Sequence, residues 1–207
     1  DEAEEHFRLF VGDHAAGQIR AVEVEDGSTT AVFEIDMTPA LTASASGNTL
    51  FAVQGDAGKV AVIDTGIRFE DHGDHADLKI SDPAMLPVLL EGTRPAHVVE
   101  GSGLIAIFDD GTGSITLFPE SSLTSQEFDP VQLSPVAAHH GLAAPMGDYV
   151  VVSVPDEDPE KPRVGLKVID KTGEQVGEVM ACPGVHGQAQ SARVFAFGCR
   201  DGVVMAT

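Results

Sequence analysis

Three histidines recur at nearly equal intervals in the second half of the sequence. His97, His140 and His186 are separated by 43 and 46 residues, and each stands eight to ten residues before a short apolar run. Imidazole nitrogen is a preferred donor for Zn²⁺ in proteins. If the fold brings positions of equal phase together, these three side chains predict a zinc-binding site.

Each of these histidines also has a simpler alternative role. A single histidine near the start of a strand is usually a structural residue with a hydrogen-bonded ring, and only the shared spacing favours ligation. His139 adjoins His140, and because successive strand residues face opposite sides, a register shifted by one residue would make His139 the ligand. The fourth ligand stays open between a carboxylate, a water molecule and a residue from outside this chain.

A second group of donors lies in an insertion loop at residues 68–77, RFEDHGDHAD. The loop carries nitrogen and oxygen donors around a glycine: Asp71, His72, Asp74, His75 and Asp77. A flexible set of this kind is expected to bind metal weakly, so we interpret His72 and His75 as a relay or as alternative ligands. The alternative is a solvated acidic turn without metal.

The elements that must position these side chains repeat along the chain. Apolar triplets begin at residues 9, 51, 105, 150 and 195, with steps of 42, 54, 45 and 45 residues. Each triplet is followed by a polar turn and a second alternating run, and most units add a third, outer run, which in the second unit is ADLKISDP. Short antiparallel strands with a period of about 40–50 residues are typical of β-propeller blades. The insertion at residues 68–77 accounts for the one long step.

The sequence therefore predicts an all-β fold, a β-propeller of four-stranded antiparallel blades. Residues 1–207 are expected to form a single propeller domain of about four and a half blades, which is about half of a ring. Because an open ring leaves exposed edge strands, a second chain or a missing segment is expected to complete it. A β-sandwich or a small irregular barrel is the alternative.

Charge and hydropathy restrict the partners and the compartment. The formal net charge of −21 repels phosphate backbones, which argues against a nucleic-acid partner. No apolar run approaches the length of a transmembrane helix, so membrane insertion is not expected. The acidic start, DEAEEHF, is compatible with a chain that follows a cleaved signal peptide.

Cys182 and Cys199 are the two cysteines of the chain. If residues 186–190 and 193–197 form a hairpin, the two cysteines lie roughly opposite each other, which favours a disulfide over two free core thiols. A disulfide would indicate an oxidising compartment.

Four stretches, HGDHADL, RPAHVV, IAIFDDGTGSI and CPGVHGQA, together resemble the AztD-type periplasmic zinc metallochaperones. Their order and spacing carry the resemblance, which covers essentially the whole chain. It implies a β-propeller, a periplasmic location, a disulfide and Zn(II) binding. It also implies delivery of zinc to the solute-binding protein of a zinc ABC transporter, with His97, His140 and His186 as the site.

Two other functions compete with zinc carriage. One is a propeller lactonase or hydrolase that uses a metal, although no nucleophile motif, Walker loop or dinucleotide fingerprint is present. The other is a metal-free scaffold that binds a protein partner through its faces. The thin catalytic signal favours a protein that is not an enzyme.

Overall fold

The computed structural model describes residues 5–191 and 194–207, and their regular structure is strands joined by turns and two short 3₁₀ segments. The chain divides into two compact units. The N-terminal unit comprises the residues up to Pro95 together with Glu120–Phe128, and the C-terminal unit comprises Ala96–Pro119 and Asp129–Thr207. The described residues contain no helix with the length and hydropathy of a membrane-spanning segment.

The N-terminal unit contains two sheets and a separate hairpin, all with antiparallel pairing. Its strands are β1 (Arg8–Asp13), β2 (Gln18–Glu23), β3 (Thr29–Glu34), β4 (Ala40–Ala43), β5 (Thr49–Gln54), β6 (Lys59–Asp64), β7 (Ile67–Asp71), β8 (Ala76–Ile80), β9 (Ala84–Met85) and β10 (Leu90–Glu91). The first sheet has the order β1-β2-β3, and the second has the order β10-β6-β5-β4 with β9 also on β6. Ile19, Leu50 and Ile63 are buried between these sheets.

The insertion forms the hairpin of β7 and β8, which pair with each other from Ile67↔Ile80 to Asp71↔Ala76. The run that includes Ala76–Ile80 was expected to be the outer strand of the second repeat, and this prediction was wrong. The outer partners of β6 are β9 and β10, which have only two residues each. Pro83 and Pro87 lie beside them and lack the N–H that a longer ladder requires.

The C-terminal unit consists of three antiparallel sheets in sequence order. Its strands are β11 (Pro95–Gly101), β12 (Leu104–Asp109), β13 (Ile115–Pro119), β14 (Val131–Leu133), β15 (Ala143–Met146), β16 (Tyr149–Val154), β17 (Gly165–Asp170), β18 (Gln175–Ala181), β19 (Gln188–Gln190), β20 (Phe195–Cys199) and β21 (Gly202–Ala206). The sheet orders are β11-β12-β13-β14, β15-β16-β17-β18 and β19-β20-β21. Within each sheet, strands that are consecutive in the chain therefore pair with each other.

Apolar side chains on both faces of β16 join the three sheets of this unit. Val150 and Val152 lie in one cluster with Phe108 of the preceding sheet. Val151 lies in the next cluster with Phe197 of the following sheet. Because neighbouring residues of a strand face opposite sides, a strand between two sheets needs an unbroken apolar run. Burying each of these side chains stabilises the fold by roughly 1.5–3 kcal/mol.

The structure confirms the predicted all-β class, the antiparallel sheets that follow one another along the chain, and the disulfide. Cys182 and Cys199 are bonded, with 4.9 Å between their Cα atoms. Strand β19 pairs with β20 from Gln188↔Phe197 to Gln190↔Phe195, as the predicted hairpin requires. Arg193, which that prediction included, lies outside the described residues. The single-domain boundary at residues 1–207 stays a prediction.

Candidate metal centre

The structure brings the three equally spaced histidines together in the C-terminal unit. His97 is on β11, while His140 and His186 lie shortly before β15 and β19, so each belongs to the first strand of its sheet or to the loop before it. The ring centroids of His97 and His140 are 4.8 Å apart, and those of His140 and His186 are 5.8 Å apart. Rings this close can place nitrogen donors around one ion.

A carboxylate completes the group. Asp110 Oδ2 lies 2.6 Å from His140 Nδ1, and Asp110 Oδ1 accepts a hydrogen bond from the Gly141 backbone N–H at 3.2 Å. Donor atoms of His97, Asp110 and His140 all lie within 4.8 Å of one another. When Nδ1 of His140 donates to Asp110, its Nε2 keeps a lone pair for a metal, which is the usual carboxylate–histidine–metal arrangement.

Asp110 was not predicted from the sequence, where Asp109, Asp110 and Gly111 form a segment typical of a hairpin turn. Asp109 does serve the turn, because its backbone carbonyl accepts from Gly113 N and its side chain accepts from Ser114 Oγ. Asp110 instead extends to His140 and Gly141, in the segment before the next sheet. The signal was therefore the second carboxylate, which the turn does not need.

His97 provides a donor that stays neutral. Its Nδ1 is buried and makes no hydrogen bond of normal geometry with the described residues. Burial lowers the pKa of His97, and the neighbouring His140 and His186 lower it further, although Asp110 and the Gly141 backbone act in the opposite direction. The neutral imidazole is the form that binds a metal, so this environment prepares His97 for ligation at neutral pH.

His139 is held by the protein instead. Its Nδ1 lies 2.8 Å from the Ala137 carbonyl oxygen, and its Nε2 lies 2.9 Å from Ser153 Oγ. The ring also packs edge-on against Phe108. Both ring nitrogens of His139 are thus hydrogen-bonded to protein atoms, so in this arrangement neither is open to a metal.

Gly141 allows the close approach of His139 and Ser153. A Cβ atom at this position would lie 2.5 Å from His139 Nε2 and 2.6 Å from Ser153 Oγ. Ser153 is fully buried and also accepts a hydrogen bond from Leu142 N at 2.9 Å. The segment that carries His140 therefore approaches Ser153 so closely that no side chain fits at Gly141.

The hairpin of β7 and β8 presents a second, exposed donor group in the N-terminal unit. The rings of His72 and His75 are 5.1 Å apart. His72 Nε2 and His75 Nε2 lie 3.6 Å and 3.8 Å from Asp77 carboxylate oxygens, and His75 Nδ1 lies 2.8 Å from Asp74 Oδ1. More than two fifths of each of these side chains is exposed to solvent.

A third donor group, which the sequence did not predict, contains His6, Glu23 and Glu25. His6 Nε2 lies 2.7 Å from Glu23 Oε2, and Arg8 Nη2 lies 2.7 Å from Glu23 Oε1. The Arg8 side chain is only 2% exposed. Because a buried guanidinium already neutralises Glu23, we interpret this group as a structural ion pair.

The chain is similar over its full length to a curated protein. It is 41% identical to "Zinc chaperone AztD" from Citrobacter koseri over 208 aligned positions, which are 100% of this chain and 49% of the relative. The crystal structure of Citrobacter koseri AztD superposes with a TM-score of 0.93 over 97% of this chain and 54% of that chain. The predicted resemblance to AztD is confirmed.

The structure of apo AztD from the same organism gives a TM-score of 0.91 at 40% identity, again over 97% of this chain and 54% of that one. The chain thus spans about half the length of the AztD proteins it matches. Hydrazine synthase from Kuenenia stuttgartiensis matches with a TM-score of 0.55 at 13% identity, a likeness of fold alone. Together with the antiparallel sheets, these likenesses confirm the β-propeller class and the prediction of about half a ring. No protein-family model matches the chain.

Proposed function

We propose that this protein is a periplasmic zinc metallochaperone that binds Zn(II) through His97, His140 and His186. The observation that carries the proposal is the approach of these rings, with centroids 4.8 Å and 5.8 Å apart. Asp110 supplies the carboxylate that orients His140. The 41% identity to a protein named as a zinc chaperone supports the choice of metal and role.

The three histidines differ in their exposure to solvent, and this difference suits a site that must release its ion. His97 is half-buried, whereas His140 and His186 are exposed. A recipient protein can therefore approach from the side of His140 and His186 and replace these ligands one at a time. His97 holds the ion until the last step.

The recipient in this proposal is the solute-binding protein of a zinc ABC transporter. The disulfide between Cys182 and Cys199 supports an oxidising compartment, in agreement with a periplasmic location. The exposed pair His72 and His75 acts as a relay that captures zinc or transfers it. Its few, solvent-exposed donors are suited to weak and rapidly exchanging binding.

Zinc titration of the metal-free protein tests the proposal. One tightly bound zinc is expected, and replacing His97, His140 and His186 by Ala should abolish it. The matched control is His14→Ala, because His14 is exposed and lies outside the three donor groups. Tight zinc that survives in the triple variant would contradict the site.

The same samples separate the rival functions. Zinc-loaded protein should transfer its ion to the solute-binding protein and show no turnover of lactone or ester substrates. Zinc-dependent turnover would favour the hydrolase. A protein that takes up no zinc would favour the metal-free scaffold.

A further inference from the structure

Arg163 joins the two segments that carry His140 and His186. Its side-chain Nη1 donates a hydrogen bond to the backbone carbonyl of His140. Its own backbone carbonyl accepts a hydrogen bond from Gly184 N at 2.7 Å. The same residue therefore contacts the loop before β15 and the loop before β19.

The His186 side of this connection is rigid. Cys182 and Val185 are fully buried, and the disulfide ties Cys182 to the end of β20. His186 N also donates to the Gly198 carbonyl at 3.0 Å. Because the Arg163 carbonyl accepts a hydrogen bond from Gly184 in this segment, the Arg163 backbone is held in place.

The His140 side is less constrained by packing. Its side chain is 52% exposed, and Asp110 is the described partner of its ring nitrogens. The Arg163 guanidinium adds a second restraint, on the backbone, so that the His140 ring cannot rotate away with its loop. Burial lowers the pKa of Arg163, which agrees with a side chain enclosed against the protein.

We propose that Arg163 is a positioning residue of the zinc site, which fixes the distance between His140 and His186 by bonding to both loops. This inference rests on the proposed zinc function. Outer groups that orient ligands typically contribute about 10–100-fold to metal affinity. Arg163 contacts no reacting atom and acts through the His140 carbonyl.

The two possible roles of Arg163 predict opposite changes in zinc affinity when its side chain is replaced. A guanidinium close to a bound cation repels it, so a purely electrostatic role predicts tighter zinc when the charge is removed. A positioning role predicts weaker zinc, because the His140 loop is released. The sign of the change in affinity separates the two.

The experiment compares Arg163→Met and Arg163→Lys with the wild type by competitive zinc titration. Arg163→Met keeps the aliphatic stem and is expected to raise the zinc Kd by about 10-fold. Arg163→Lys keeps a donor and should fall between it and the wild type. Arg20→Met is the matched control, because it removes one positive charge from an exposed strand position of the N-terminal unit and should leave the Kd unchanged.

A spectroscopic signature and a double variant complete the test. Co(II) in the wild-type site should show ligand-field bands that shift in Arg163→Met, which a loss of general stability would not produce. In a His140→Ala background, Arg163→Met should weaken zinc no further. An unchanged or lower Kd in Arg163→Met, or an equal effect in both backgrounds, would overturn the positioning role. If the wild type itself binds no zinc, the proposed function fails and not this inference alone.

Discussion

Asp110 Oδ2 lies 2.6 Å from Nδ1 of His140, although 30 positions separate the two residues in the chain. The Asp110 side chain is 11% exposed and the His140 side chain is 52% exposed. The carboxylate is therefore the more buried partner and the imidazole the more exposed one. The pair sets which histidine nitrogen is available to an ion.

Asp110→Asn is expected to weaken zinc binding by about 10–100-fold, because a neutral amide no longer holds the Nδ1–H tautomer of His140. The zinc Kd measured by competition with a chelator tests this. Asp148→Asn is the matched control, since Asp148 is exposed and pairs with Lys171, away from the histidines. An equal loss in both variants would mean that general surface charge, and not the His140 contact, sets the affinity.

Acidification from neutral pH to about pH 5 should release zinc, because protons compete for imidazole near its ordinary pKa of about 6.5. The pKa of His97 is lowered by burial, so its ring keeps the neutral, metal-binding form to a lower pH than a free imidazole does. Zinc titrations across this range provide the measurement. A constant Kd would contradict ligation by histidine.

The ion pair of Glu23 and Arg8 should stabilise the fold at neutral pH and weaken in acid. Burial alone would raise the pKa of Glu23, but hydrogen bonds from Arg8 and Thr30 leave it below the ordinary value of 4.5. Since the unfolded carboxylate then binds more protons than the folded one, this stability is present above about pH 4.5 and is lost as the pH falls through the lower, folded pKa.

Glu23→Gln should therefore reduce the free energy of unfolding at pH 7 by about 3 kcal/mol, since it leaves the buried Arg8 charge without its partner. Urea unfolding at several pH values measures this. The variant should also lose less stability in acid than the wild type. Glu34→Gln, at an exposed site in the same sheet, should change the free energy of unfolding little. If the stability of the wild type and that of Glu23→Gln change with pH in parallel, the ion pair is not the cause of the acid sensitivity.

Replacing both Cys182 and Cys199 by Ser should lower the free energy of unfolding by roughly 3 kcal/mol, as expected for a bridge across 17 residues. Because Cys182 lies four residues before His186, the variant should also bind zinc more weakly. In a His186→Ala background the second effect should vanish. Zinc affinity that is unaffected in the folded double variant would separate the disulfide from the site.

His72→Ala together with His75→Ala should slow zinc transfer to the solute-binding protein while leaving the tight-site Kd within a factor of about two, because these side chains lie on a separate hairpin. Stopped-flow transfer with a fluorescent reporter gives the rate. His14→Ala provides the comparison. An unchanged transfer rate would contradict the relay and favour the alternative, a solvated acidic turn without metal.

Periodicity predicted most of the fold because strands buried on both faces leave a clear signal. The runs around Phe51, Ile105, Val150 and Phe195 each became the second strand of a sheet. The second repeat failed at its outer edge, where β8 pairs within the insertion hairpin and the short β9 and β10 replace it. Edge strands bury little surface, so their pairing is weakly encoded in apolar pattern.

Spacing predicted the histidines of the site, but not the groups that support them. His97, His140 and His186 share a phase, whereas Asp110 and Arg163 lie at a turn and beside a proline-rich loop with no repeat. Their role depends on which loops meet across neighbouring sheets. That relationship follows from tertiary contacts, so the sequence offered only a weak signal for Asp110, the second carboxylate of its turn, and none for Arg163.

His97 lies on one sheet, and His140 and His186 lie in the loops that lead into the next two sheets, at spacings of 43 and 46 residues. The donor group thus exists only once those sheets have packed, and a nascent or proteolysed chain that lacks one of them cannot assemble it. If this donor group binds zinc as proposed, tight binding would therefore require all three sheets to be folded and intact.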